Sequence, residues 1–145
     1  MILFTIGFTQ RTAEQFFEKI KTVGIKRVVD IRLNNTSQLA GFAKRDDLIY
    51  FLKSICGIGY VHVPELAPDK ELFELIKKKK GSWAVYEAGY LHLLAKRNAD
   101  GGFLHDTLKD GDCLLCSEHT PERCHRRIVA ERFKSMDDQV EIVHL

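Results

Sequence analysis

The chain lacks the long apolar runs, export signals and excess charge that mark several classes of protein. None of its apolar runs approaches the ~18 residues that a membrane-spanning helix needs. Residues 1–6 are apolar but carry no basic segment and no cleavage-like site, which predicts a cytoplasmic protein without a membrane partner. Lysine and arginine total 22 against 20 for aspartate and glutamate. This balance gives no general affinity for nucleic acid, so any basic site must be local.

The composition is that of a folded globular protein. Apolar residues make up 45% and charged residues 29% of the 145 positions, and the chain contains no repeat, low-complexity tract or linker. We therefore expect one domain over residues 1–145. The four cysteines are expected to be thiols rather than a disulfide scaffold, with packing roles for Cys56 and Cys113.

Short apolar runs alternate with helical stripes, which is the pattern of a parallel sheet covered by helices. The predicted strands are 1–6, 27–32, 58–63, 112–116 and 140–143. A helix is expected between a Thr12 cap and Gly24, with Gln15 completing a capping box. Further helices are expected around 48–55, around 72–76 with a solvated end at the lysines 77–80, after Ser82, and over 121–136. The predicted fold is α/β: a single three-layer domain with a mostly parallel sheet of about five strands and helices on both faces.

The densest group of reactive side chains lies between the fourth strand and the last helix. Residues 116–127 contain two cysteines, two histidines, two glutamates and three arginines. Thr120 suits a helix cap and Pro121 a first helical turn, so the amides near Arg123 are predicted to bind an anion. Cys116, facing this helix end, is expected to have a stabilised thiolate.

Helical spacing sorts the remaining residues of this group. Cys124 and His125 fall at the edge of the buried stripe, whereas Arg123 and Arg127 share a face and Arg126 is expected to point elsewhere. Two interpretations stay open for Cys124 and two for the arginines. Cys124 is a packed apolar side chain or a ligand or catalytic thiol, and the arginines bind an anion or pair with carboxylates such as Glu118.

Two upstream strand ends are predicted to complete the site. Asp30 and Arg32 are two residues apart on one face of the second strand, and His62 ends the third. In open parallel sheets ligands bind at the carboxyl ends of the strands. Asp30 is expected to orient Arg32 or a substrate hydroxyl, and His62 either to move protons or to be satisfied by the backbone.

Four segments resemble the domain-of-unknown-function family numbered 488. They are Thr5–Gly7, Val29–Arg32, Tyr60–Leu66 and Leu115–Glu118 followed by Pro121–Arg126. The resemblance covers nearly the whole chain and implies an α/β domain with its site at these segments, but no reaction. The chain departs from the family pattern at Phe8, at Asn34–Asn35 and at Ala67–Pro68. A looser similarity is to rhodanese-like sulfurtransferases, which place a cysteine at a strand end and an arginine in the turn that follows.

We expect a cysteine-containing enzyme that binds a phosphate-like anionic ligand, such as a nucleotide or nucleic-acid component, at the loop between strand 112–116 and helix 121–136. The expected catalytic residues are Cys116, Cys124, His125, Asp30 and His62. The expected ligand-binding residues are Arg32, Glu118, Arg123 and Arg126.

Three alternatives remain open. One is a non-catalytic module in which the arginines bind a nucleotide or nucleic acid, and another is a rhodanese-like sulfurtransferase. The third, ranked last because one helix start offers poor ligand spacing, is a metal site using Cys116, Cys124 and histidines among His62, His119 and His125. The sequence specifies no cofactor, and no resident metal is predicted.

Overall fold

The protein is built on a five-stranded sheet in which every strand pairing is parallel. The computed structural model describes residues 1–36, 40–77 and 82–145. The strands are β1 (Ile2–Gly7), β2 (Arg27–Asp30), β3 (Gly59–His62), β4 (Asp112–Cys116) and β5 (Glu141–His144). Their order across the sheet is β3-β2-β4-β1-β5. β4 is therefore central, and all five of its residues are buried.

Helices cover both faces of the sheet, so the predicted α/β architecture is confirmed. The α-helices are α1 (Ala13–Val23), α2 (Arg45–Phe51), α3 (Lys70–Lys77), α4 (Trp83–Lys96), α5 (Gly102–Thr107) and α6 (His125–Met136). One apolar cluster packs the sheet against α1 and α2 through residues such as Phe16 and Leu48. A second packs the opposite face against α4 and α6 through residues such as Tyr90 and Phe133. Among the described residues, no helix combines the length and apolarity needed to cross a bilayer.

The N-terminal half of the fold follows local sequence signals closely. The Thr12 hydroxyl accepts from the Gln15 amide, and the Gln15 side chain accepts from the Thr12 amide, which forms the predicted capping box of α1. Gly24 then ends α1 in the left-handed conformation, with φ 78°. α1 therefore begins and ends where the sequence predicts.

Other boundaries differ from the prediction. β2 stops at Asp30 instead of continuing to residue 32. The segment after Gly101, for which no helix is predicted above, forms α5. The lysine run at 77–80 lies outside the described residues except for the helical backbone of Lys77. The sheet register sets Gly7 beside Cys116 and Asp30 beside Leu115, so three strand ends meet at one edge.

Candidate functional site

The loop between β4 and α6 is longer than the sequence predicts. α6 begins at His125, and its N-cap is Cys124 in an extended conformation, with φ −137° and ψ 138°. The expected helix over 121–136, with Thr120 as cap, is therefore wrong at its start. Because the segment around Arg123 precedes the helix, its amides are not those of a helix N-terminus. The carbonyls of Glu118 and His119 instead face a side chain from α6.

Two of the predicted site cysteines meet at this loop. Cys116 ends β4, and the structure pairs it as a disulfide with Cys124, eight residues further along the chain. Both are 2% exposed. The expectation of thiols therefore holds for Cys56 and Cys113, which are free, but not for this pair. Cys113 packs in the core on the opposite face of the sheet, as its spacing from Cys116 predicts.

Arg126, expected as a ligand-binding residue on a different helix face from Arg123 and Arg127, holds the centre of the site. Its side chain is completely buried, and Nη1 donates to Cys116 Sγ at 3.3 Å and to Cys124 Sγ at 3.6 Å. Nη1 also donates to the Glu118 carbonyl, and Nε donates to the Thr5 hydroxyl. Burial lowers the pKa of Arg126 to about 10. No carboxylate within the described residues forms an ion pair with it.

Gly7 allows the loop to close over Arg126. A Cβ atom at Gly7 would overlap the carbonyl of Glu118 and lie 2.9 Å from Arg126 Nη1. The Thr9 amide and hydroxyl both donate to the Ser117 carbonyl, at 3.2 and 2.8 Å, which ties the end of β1 to the same loop. The missing side chain at position 7 is therefore a condition for the geometry around the sulfur atoms.

His125 lies against the sulfur pair with a fixed ring orientation. Its Nε2 is 2.7 Å from the Ile31 carbonyl, and its Nδ1 is 4.0 Å from Cys124 Sγ. A carbonyl oxygen only accepts hydrogen bonds, so Nε2 carries the proton of the neutral ring and Nδ1 is unprotonated. Burial lowers the pKa of His125 to about 4. The edge of the ring also contacts Tyr90, with centroids 5.6 Å apart.

A second polar cluster surrounds Asp30, on the other side of His125. The Asp30 carboxylate accepts two hydrogen bonds from the Arg32 guanidinium, at 2.9 and 2.8 Å, and one from the Tyr60 hydroxyl at 2.6 Å. Burial raises the pKa of Asp30, but the hydrogen bonds and charge of Arg32 outweigh it, so the net pKa is below its usual value. Asp30 therefore orients Arg32, which is one of the two roles expected for it.

Arg32 and His62 serve this second cluster and do not reach the sulfur atoms. The remaining terminal nitrogen of Arg32 donates to the Ala43 carbonyl at 2.7 Å, and its guanidinium lies 5.4 Å from the ring centroid of Phe8. Three of its five guanidinium N–H groups therefore have partners within the protein. His62 Nε2 lies 3.2 Å from the Arg32 carbonyl, matching the expectation of a histidine satisfied by the backbone.

The remaining predicted ligand-binding residues are at the surface. Glu118 and Arg123 are both exposed. Glu118 contributes its backbone carbonyl to Arg126, rather than its carboxylate to an ion pair. Within the described part of the chain, Arg123 forms no ion pair. Its side chain is exposed on the loop between β4 and α6.

The domain-of-unknown-function family DUF488 matches residues 12–133. The chain belongs to the DUF488 family. No curated protein and no solved structure matches it. The chemistry of the site in this DUF488 chain is therefore inferred from the positions of its side chains.

Three donor atoms in this DUF488 chain could hold a metal ion. The ligand atoms of Cys116, Cys124 and His125 all lie within 4.8 Å of one another. The spacing objection raised from the sequence fails because β4 supplies one ligand and the N-cap of α6 another. His62 and His119, the other histidines considered, are engaged by backbone carbonyls elsewhere.

Two tyrosines that contact the DUF488 site are not among the expected catalytic or ligand-binding residues. Tyr60 contacts Asp30, and its position two residues before His62 on β3 was an available signal. Tyr90 packs its ring on His125 while its hydroxyl donates to the Leu66 carbonyl at 2.6 Å. Nothing in the spacing of Tyr90 distinguishes it from an ordinary core residue.

Proposed function

We propose that this DUF488 chain is an enzyme that works through Cys116 and Cys124 as a pair cycling between dithiol and disulfide. The observation that supports it best is the contact of one buried guanidinium nitrogen, Arg126 Nη1, with both sulfur atoms. A buried guanidinium without a carboxylate partner is costly. A reduced sulfur that carries negative charge offsets that cost.

The step that this arrangement serves is exchange with a thiol substrate. The substrate thiolate attacks one sulfur of the pair, the Cys116–Cys124 bond breaks, and its electron pair stays on the departing sulfur beside Arg126. A second substrate thiol then attacks the mixed disulfide. The products are a substrate disulfide and two cysteine thiols, so two electrons and two protons pass from substrate to enzyme. Exchange with a disulfide of higher reduction potential then takes these electrons and protons and restores the Cys116–Cys124 disulfide.

His125 and Asp30 act differently in this scheme. His125 Nδ1, the unprotonated ring nitrogen, lies 4.0 Å from Cys124 Sγ and in this scheme accepts the proton that the Cys124 thiol releases. Asp30 does not touch the sulfur atoms, and it positions the segment that carries the Ile31 carbonyl to which His125 is bound. His62 supports the same segment through the Arg32 carbonyl.

The anionic ligand is the second part of the proposal. Arg32 and Arg126 are occupied by Asp30 and by the sulfur atoms, so Arg123 is the arginine left to bind a phosphate-like group beside the loop. The chemistry fits the cytoplasm, where lasting disulfides are rare and those that form are mostly transient and catalytic.

Oxidation in glutathione buffers tests the sulfur chemistry. We expect Cys116 and Cys124 to pair in a single two-electron transition, with loss of two hydrogens detected by mass spectrometry. The variants Cys56→Ser and Cys113→Ser should leave that transition in place, because neither residue contacts the pair. The redox proposal is refuted if the two cysteines stay reduced in oxidised glutathione or form separate mixed disulfides with it.

Protection from alkylation tests the ligand. Inorganic phosphate should slow iodoacetamide modification of the reduced pair in the wild type but not in Arg123→Met. Equal protection in both proteins would remove Arg123 from the site. Retained nucleotide or nucleic-acid affinity in Cys116→Ser, without any disulfide transition in the wild type, would identify a non-catalytic binding module instead.

A further inference from the structure

The sulfur pair and His125 form a compact set of soft donor atoms. Cys116 is supplied by the end of β4, Cys124 by the N-cap of α6 and His125 by the first residue of that helix. Their donor atoms lie within 4.8 Å of one another, and all three residues are buried. The cysteine Cα atoms are 7.6 Å apart, a spacing at which two reduced side chains can approach one ion from different sides. Thiolate and imidazole together favour copper or zinc over hard cations.

The imidazole is already oriented as a ligand. Metal-binding histidines commonly donate their second ring N–H to a carboxylate or backbone carbonyl, which fixes the tautomer. His125 does this through Nε2 and the Ile31 carbonyl at 2.7 Å, and the unprotonated Nδ1 is the ring nitrogen nearer the sulfur atoms.

The charges buried around the donor atoms select the valence of the ion. Two thiolates contribute two negative charges and Arg126 contributes one positive charge, while the buried Asp30 and Arg32 cancel each other. A monovalent ion brings the sum to zero, whereas a divalent ion leaves one positive charge unbalanced in a buried site. Unbalanced buried charge is strongly unfavourable.

We propose that the reduced Cys116–Cys124 pair and His125 bind one monovalent soft metal ion, Cu(I), in a three-coordinate site beside the Arg126 guanidinium. The site uses the same sulfur atoms as the proposed enzyme but does not depend on the disulfide step. Loading with Cu(I) blocks both sulfurs and therefore stops thiol exchange until the metal is removed.

Anaerobic titration of the reduced protein with Cu(I), in competition with a chromogenic Cu(I) chelator, tests the stoichiometry. We expect one ion per chain in the wild type and in Cys56→Ser, the control for a cysteine outside the site. Cys116→Ser and Cys124→Ser should each lose stoichiometric binding, and His125→Gln should bind at least about tenfold more weakly. Absence of binding to the wild type, or loss of binding in Cys56→Ser, would overturn the assignment.

X-ray absorption on Cu(I)-loaded wild type checks the ligand set without any substitution. We expect two sulfur neighbours and one nitrogen neighbour at the copper. A shell of sulfur atoms alone, or of nitrogen and oxygen alone, would contradict the site. This measurement remains decisive if a cysteine variant fails to fold.

Arg126→Met separates the charge argument from the ligand argument. Removing the guanidinium makes two thiolates balance a divalent ion, so the preference for Cu(I) over Zn²⁺ should fall at least about tenfold. An unchanged preference, or tighter binding of Zn²⁺ than Cu(I) by the wild type, would refute the monovalent assignment. Failure of the glutathione transition leaves these metal measurements unaffected, so the two proposals fail separately.

Discussion

Replacing Gly7 with alanine should disrupt the whole sulfur site from a strand position beside the Cys116 backbone. The added Cβ would overlap the Glu118 carbonyl and lie 2.9 Å from Arg126 Nη1. Both obstacles are structurally fixed, one as backbone and the other as a buried guanidinium. The β4–α6 loop must therefore retreat from β1.

The cost follows from the contacts that such a retreat breaks. Two hydrogen bonds join Thr9 to the Ser117 carbonyl, and a third joins Arg126 to the Glu118 carbonyl. At about 1 kcal/mol each, their loss lowers the free energy of unfolding by about 3 kcal/mol. For a chain of this size that corresponds to a fall of roughly 10 °C in the melting temperature.

Thermal and urea unfolding of Gly7→Ala beside Gly102→Ala measure this effect. Gly102 is the first residue of α5, and a Cβ there meets no atom within 4 Å. Alanine at Gly102 should leave stability unchanged or raise it by up to about 1 kcal/mol. Similar unfolding curves for the two variants would show that the loop does not press on β1 as described.

Three further outcomes test other parts of the structure. Asp30→Asn leaves the buried guanidinium of Arg32 without its counter-charge and should cost about 3–5 kcal/mol in urea unfolding; a loss below about 1 kcal/mol would contradict the buried pair. Thr12→Ala removes half of the capping box of α1 and should cost about 1 kcal/mol by the same measurement, whereas an unchanged midpoint would mean that the cap is not formed in solution. The pKa of His125 is about 4 in the folded chain and about 6.5 when unfolded, so below pH 6.5 proton uptake favours the unfolded state. The free energy of unfolding should therefore fall by about 2 kcal/mol more between pH 7.5 and pH 5 in wild type than in His125→Gln, and equal falls would refute a buried neutral ring.

Residue patterns predict the layers of this fold well because its strands are short apolar runs and α1 has strong local caps. Leu3 and Phe4 alternate between the two apolar clusters, as successive strand residues must. Boundaries set by tertiary contacts were not predictable in this way. Thr120 and Pro121 are good local signals for a helix start, yet the carbonyls of the preceding loop bind Arg126 and the helix begins only at His125.

The burial of Arg126 was not predicted, although Arg126 was placed among the ligand-binding residues. It lies three, four and seven residues before Val129, Ala130 and Phe133, so it falls on the buried stripe of α6. An arginine is normally expected at the surface, so this spacing alone does not indicate a buried guanidinium. Only the carbonyls and sulfur atoms brought together by the fold explain why a guanidinium occupies a core position here.

The hydrogen bond from the His125 ring to the Ile31 carbonyl fixes the orientation of the imidazole without using the side chain of residue 31. A substitution at position 31 retains the carbonyl oxygen that binds the imidazole, so alanine at this position would not reveal the contact. The orientation depends instead on the path of the main chain after Asp30, which places the carbonyl oxygen of residue 31. Relatives could therefore share this histidine orientation with little similarity in the residues that create it.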